Sequence, residues 1–347
     1  MKKLVANSAA NKRKIVLVAA ICIIVAIVAI FVLARPSQSG PRFAFFLYDG
    51  SDTFIVELMG SISSAMPEDI TYEIFDANNS QSVQNQQIVE MIDGDFDLFV
   101  INAVDRLASS SIVERLSRES IPIIFFNREP LAEALVGNVF YVGAAADSMG
   151  KRQADIAAMY FAGMQGETIR AIILKGEHGH QDAERRTENS ISRMAELGFT
   201  VDVLAIHSAN WRRQDAYEVM RTLYAQFGET IDLVFSNNDD MALGAIDFLL
   251  EAGIFVEGRQ PNEQPFIIIG VDGTPAGLDA IYRGLLFGTV NNDNAAQSSA
   301  ILALADYIMN NRDICSFPYA ITSGHFIYID GGAITIDNVH EYIRQMQ

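Results

Sequence analysis

The chain has 347 residues, half of them hydrophobic and a fifth charged, with a formal net charge of −18. It is long enough for two ordinary domains and apolar enough for large cores, which excludes an intrinsically disordered class. The first 35 residues hold six basic and no acidic side chains, leaving 19 basic against 43 acidic in the remainder, a balance of −24; such a charge excludes nucleic acid or an anionic membrane surface as that part's partner.

Taken in chain order, residues 1–14 form a basic segment with Lys2, Lys3, Lys12, Arg13 and Lys14. An uncharged apolar run follows over 15–34, long enough to cross a bilayer. The basic flank keeps the N-terminus in the cytoplasm and sends the rest outside. The run is a signal-anchor or a signal peptide. Its length, beyond the ~7–15 residues of a signal-peptide core, and the lack of a clean small-residue cleavage site favour the anchor. Cys22 lies inside this run, so Cys315 is left without a partner for a disulfide, and no His or Cys pair has zinc spacing. Residues 35–41 are a short polar linker.

Beyond the linker, apolar runs at Phe43–Leu47, Leu98–Ile101, Ile121–Phe126, Val139–Val142, Ala171–Leu174, Leu233–Phe235 and Phe266–Val271 have the pattern of buried parallel strands. Helical patterns lie between them, at Phe54–Met66, Ser82–Ile92, Asp182–Leu197 and Met241–Leu250. Alternation on this scale predicts βαβ units and doubly wound α/β architecture, and its length predicts two similar lobes.

Ligands in such sheets sit at the carboxyl ends of the strands, and nearly every strand here ends in polar or aromatic residues. The turn LKGEHGHQDAERR, Leu174–Arg186, places His180, Asp182 and Arg186 together. Asp182 and Arg186 are four apart and share a helix face, as a solvated ion pair or as one fork of acceptors and donors. Other strand ends bring Asp52 and Phe54, Asn127, the sole tryptophan Trp211, Asn238, Asp272 and Asn292. Asn and Asp at strand ends are also ordinary turn formers, and the aromatics are compatible with a core role. As one cleft wall, however, the set suits a neutral polyol, because planar Asp, Asn and Arg groups bond directionally to hydroxyls and aromatic faces cover pyranose C–H surface. No GxGxxG, Walker loop or GxSxG elbow is present.

Several long motifs occur in order: YxxxDxF at Tyr48–Phe54, FFNREP at Phe125–Pro130, LKGExGHxDAExR at Leu174–Arg186, SNNDxMAxGA at Ser236–Ala245, GVDxxP at Gly270–Pro275 and GTVxND at Gly288–Asp293. Through them the chain from about Phe43 onward resembles the periplasmic galactose/glucose-binding proteins, type I substrate-binding proteins of sugar ABC importers. The resemblance implies the type I periplasmic-binding-protein fold, two doubly wound Rossmann-like lobes joined by three hinge crossovers near Gly143, Asp293 and Ser323–Phe326, preceded here by one N-terminal transmembrane or signal helix. The N-terminal lobe would comprise residues 42–142 and 294–324, and the C-terminal lobe 144–292 and 326–347.

The resemblance also implies a sugar site. Phe54 and Trp211 would sandwich the pyranose, Asp52 would bind at its 4-hydroxyl end, and Asn127, His180, Asp182, Arg186, Asn238, Asp272 and Asn292 would supply hydrogen bonds. D-glucose and D-galactose are the implied ligands, and no residue is catalytic. The implied partner is the permease of an ABC importer, or alternatively a chemoreceptor or sensor kinase for an anchored sugar sensor, with the protein a monomer. Two departures stand out, one being the anchor in place of a cleavable signal peptide. The segment Ala162–Thr168 lies where the family carries a calcium loop, yet it is short and almost without carboxylates, so no calcium and no other cofactor is expected.

Overall fold

The computed structural model describes residues 40–345. The expected membrane-crossing run at 15–34 and the basic segment before it lie outside the described residues, among which no helix is long and apolar enough to cross a membrane.

Among the described residues, twelve strands form two six-stranded sheets. The first contains β1 (Arg42–Leu47), β2 (Thr71–Asp76), β3 (Leu98–Ile101), β4 (Ile123–Phe126), β5 (Val139–Ala144) and β11 (Phe326–Ile329) in the spatial order β11-β5-β4-β3-β1-β2. All its neighbours run parallel. The second contains β6 (Thr168–Lys175), β7 (Thr200–Ser208), β8 (Leu233–Ser236), β9 (Ile267–Asp272), β10 (Gly288–Asn291) and β12 (Ala333–Thr335) in the order β12-β10-β9-β8-β6-β7. Only β12 runs antiparallel to its neighbour.

Helices cover both faces of each sheet, which is why the central strands are continuous apolar runs. In β1 the two-residue alternation sends Phe43, Phe45 and Leu47 into one core and Ala44 and Phe46 into the opposite one. The first of these cores includes α1 (Thr53–Ala65) and α9 (Asn294–Met309), which pack together. The second includes α2 (Gln81–Met91) and α3 (Ser109–Ser117). Around the second sheet, α4 (Ala146–Tyr160) and α5 (Gln181–Glu196) cover one face. On the other face lie α6 (Arg213–Phe227), α7 (Asp239–Glu251), α8 (Pro275–Tyr282) and the terminal α10 (Val339–Gln345).

The chain passes between the sheets three times. It crosses between Ala144 and Ala146, between Asn291 and Asn294, and between Ile329 and Ala333. The third crossing corrects the expected one at Ser323–Phe326, and residues 326–329 do not belong with the C-terminal lobe. Phe326–Ile329 pair in register with Tyr141–Ala144 of the first sheet, and Phe326 and Tyr328 pack their rings against Tyr141. Ser323 and Gly324 instead form a tight turn, closed by the Thr322–Phe326 bridge and with both residues in the left-handed region. The actual crossing uses Gly331, where a Cβ would collide with the carbonyl oxygen of Asn291 in the neighbouring crossing strand. Two crossings can run side by side there only because that side chain is missing.

Candidate functional site

The carboxyl ends of both sheets face one cleft, and the first-lobe wall comes from two turns. After β1 the chain bends at Gly50, whose N–H donates to Asp76 Oδ1 at 3.0 Å, and enters α1 through Asp52. Asp52 is the helix cap, its Oδ1 accepting from Ile55 N at 3.0 Å. Its other oxygen accepts from the Tyr48 hydroxyl at 2.5 Å. After β4, Asn127 takes a left-handed conformation, φ 58°. Its carbonyl accepts from the Tyr141 hydroxyl at 2.8 Å, and its side-chain oxygen accepts from the buried Asn102 amide at 3.1 Å.

The second-lobe wall is denser. His180 caps α5, its Nδ1 accepting from Asp182 N at 3.1 Å, and its ring meets Trp211 edge-on at 5.1 Å between centroids. Burial and the positive charges of Arg128, Arg186 and Arg106 hold this imidazole neutral. A neutral ring accepting at Nδ1 keeps its proton on Nε2, which makes that nitrogen a donor. Arg186, one turn beyond Asp182, donates to the Asn237 carbonyl at 2.7 Å and lies 3.5 Å from Asp182 and 3.8 Å from Asp272. All three charged side chains are buried, and the Arg186 Nε has no partner among the described residues. Asn238 caps α7 with its oxygen and donates its amide to the Trp211 carbonyl at 3.2 Å. Asn292 donates to Asp272 Oδ1 at 3.1 Å and accepts from Gln297.

Three carboxylates therefore share the cleft, Asp182 and Asp272 buried and Asp52 part-buried. Desolvation raises the pKa of Asp52, Asp182 and Asp272, with Asp182 pushed up to about 6; Arg186 opposes the rise at Asp182 and Asp272. Phe54 and Trp211 supply the aromatic surface. Trp211 sits at φ 67° and packs its ring so closely on Gly176 that no Cβ would fit between them.

All ten residues singled out from the sequence (Asp52, Phe54, Asn127, His180, Asp182, Arg186, Trp211, Asn238, Asp272 and Asn292) line a single small cavity, together with Tyr48 and Arg128. Tyr48 and Arg128 were not singled out, although both lie inside quoted motifs. The Tyr48–Asp52 spacing of four was a usable hint; the position of the Arg128 guanidinium 3.5 Å over the Tyr48 ring was not foreseeable. The cavity offers acceptors, forked donors and two aromatic faces, a chemistry of binding by hydrogen bonds and stacking.

Comparison with known proteins agrees with this architecture. A family model described as a periplasmic binding protein domain matches residues 43–313. The chain belongs to the periplasmic binding protein family. Membership makes it a substrate-binding receptor of the kind that serves ABC-type sugar importers, not an enzyme. Among curated relatives, the D-galactose/methyl-galactoside binding periplasmic protein of Haemophilus influenzae is 31% identical over 246 residues, covering 68% of this chain and 71% of that one. A xylitol-binding protein of Mycolicibacterium smegmatis is 28% identical over 298 residues, covering 86% and 78%. Among solved structures, an ABC transporter solute binding protein of Bacillus halodurans with bound myo-inositol superposes with a TM-score of 0.74 at 26% identity, covering 89% of this chain and 99% of that one.

Proposed function

We propose that the protein is an extracytoplasmic receptor for D-galactose and D-glucose, which closes around one monosaccharide and delivers it to the permease of an ABC-type importer. The observation that carries this reading is the convergence of the ten residues on one cavity between the two sheets. The identity to the galactoside-binding protein of Haemophilus influenzae supports the choice of hexose.

Each lining group has a task in this proposal. Phe54 and Trp211 cover the two apolar faces of the pyranose. Asp52 accepts from the 4-hydroxyl, and its own position is held by the α1 cap and by Tyr48. Asp182 and Asp272 accept from ring hydroxyls, while Arg186, His180, Asn127, Asn238 and Asn292 complete the donor and acceptor set. The Arg186 Nε, without a partner among the described residues, is a ready donor for a sugar oxygen. Because Asp52, Phe54 and Asn127 belong to one lobe and the others to the second, a sugar bridges both and shifts the hinge population toward closure.

Titration of the protein with D-galactose, D-glucose, D-ribose and L-arabinose tests the proposal. Tight one-to-one binding of the two hexoses alone is the expected outcome, and indifference to both would overturn it.

A further inference from the structure

Arg128 has two attachments inside the first lobe. Its side chain is only 5% exposed. The guanidinium lies 3.5 Å over the ring of Tyr48, and its Nη1 donates to the Val104 carbonyl at 2.6 Å. A third attachment leaves the lobe: Nη2 donates at 2.8 Å to Glu177, in the turn after β6 of the second lobe. Tyr48, beneath the guanidinium, is the residue whose hydroxyl holds Asp52. An unbroken line of contacts thus runs from Asp52 through Tyr48 and Arg128 to Glu177, from the cavity wall of one lobe into the other.

Two further contacts cross the cleft. Thr53 donates to Asp240 at 2.6 Å and Gln181 donates to Glu129 at 2.5 Å. Each pairs a neutral group with a carboxylate. Among the described residues, the Arg128–Glu177 contact is the one ion pair that joins the turn after β4 to the turn after β6. It is also suited to break and re-form. On opening, Arg128 keeps the Tyr48 face and the Val104 carbonyl, so its charge is not stranded, and Glu177, 36% exposed already, is released to water.

We propose that Arg128 is a positioning residue that couples occupancy at Asp52 to lobe closure, by way of Tyr48 on its own lobe and Glu177 on the other. Its ligand is the monosaccharide proposed above, whereas the ion pair rests on geometry alone. Sugar bound to Asp52 fixes the carboxylate, the carboxylate fixes the Tyr48 hydroxyl, and the ring then presents the guanidinium at the height that meets Glu177. The pair holds the closed state after the sugar has entered, so it governs departure more than arrival.

Glu177 does not line the cavity, so Glu177→Gln removes the latch and leaves the cavity wall intact. Stopped-flow fluorescence of the full chain with D-galactose, using its single tryptophan Trp211, separates the two rates. The expected result is a dissociation rate raised about tenfold with the association rate within twofold of the parent. The parent's dissociation should also quicken with added salt while that of E177Q responds much less, because a part-exposed ion pair is screened. In a cycle with Tyr48→Phe, the double variant should dissociate more slowly than the product of the two single effects predicts. An unchanged dissociation rate in E177Q overturns the latch, and strict multiplicativity overturns the link through Tyr48. Should the parent bind neither hexose, the hexose assignment fails, and the latch is then read without ligand from interlobe distances by single-molecule energy transfer. A closed-to-open ratio that falls several-fold in E177Q supports the latch, and an identical ratio overturns it.

Discussion

Gly176→Ala tests whether the indole of Trp211 is the fixed wall that the cavity requires. A Cβ at residue 176 would fall within the envelope of three atoms of the indole ring, Cε2, Cζ2 and Cη2. Ordinary carbon–carbon contact needs about 3.5 Å, so the ring must retreat by about 1 Å. Gly176 is outside the left-handed region, and its N–H donates to Asn237 Oδ1 at 3.1 Å, so alanine is compatible with the backbone there. Trp211 is held by its own left-handed backbone and by the Asn238 amide on its carbonyl, which leaves rotation of the ring into the cleft as the available relief. A binding constellation tolerates only about 0.5 Å, so this displacement, which forfeits an aromatic anchor worth about 2–3 kcal/mol, costs on the order of 10²-fold in affinity. Calorimetric titration with D-galactose should show a dissociation constant raised by about that factor, with a shifted tryptophan emission and an unfolding midpoint close to the parent's. Affinity within threefold of the parent, with emission unchanged, would refute the account of the wall.

Three further outcomes follow from the buried charges and the missing carboxylates. Arg186→Ala leaves Asp182 and Asp272 buried without their cation and should cost about 3–5 kcal/mol in urea unfolding; a loss below about 1 kcal/mol would show that the three do not act together. Asp239, buried and bonded to Thr274 and Thr289, has its pKa raised to about 7 by desolvation. Its native form therefore binds its proton more tightly than the unfolded chain does, so its stabilising effect is complete at the acid end and is lost as pH rises from about 4 through 7. The loss reaches at most about 4 kcal/mol, and Asp239→Asn should flatten the fall in unfolding free energy between pH 5 and pH 8; an equal slope in both proteins would contradict it. Sugar affinity should be the same in calcium and in chelator, since the segment Ala162–Thr168 has a single carboxylate, Glu167; a chelator-sensitive affinity would place a metal site elsewhere.

Much of the fold was legible because strands buried on both faces are unbroken apolar runs. Leu98–Ile101 is such a case, expected and observed with the same ends. The elements that escaped are those where that signal fades. β2 is an edge strand with Glu73 and Ile74 both exposed, so its residues show no buried face. β12 is three residues long. β11 has the right composition, but its membership depends on Tyr141, nearly two hundred residues earlier, and local pattern contains nothing of that pairing. The cavity wall was legible for a different reason: polar and aromatic residues interrupt apolar strands at their carboxyl ends, where an α/β cleft must lie. What sequence could not express is conformation. Asp272 at φ 121° and Trp211 at φ 67° are unusual backbones for those residue types, and nothing in their neighbours announces it. The stack of Arg128 on Tyr48 is likewise a tertiary event, invisible to spacing.

The central claim is most directly tested by calorimetric titration of the purified protein with D-galactose and D-glucose beside D-ribose, L-arabinose and myo-inositol. The account predicts saturable one-to-one binding of the two hexopyranoses and no heat from the others. Preference for a pentose or the cyclitol would contradict it, showing that the same twelve-residue cavity is tuned to a different polyol.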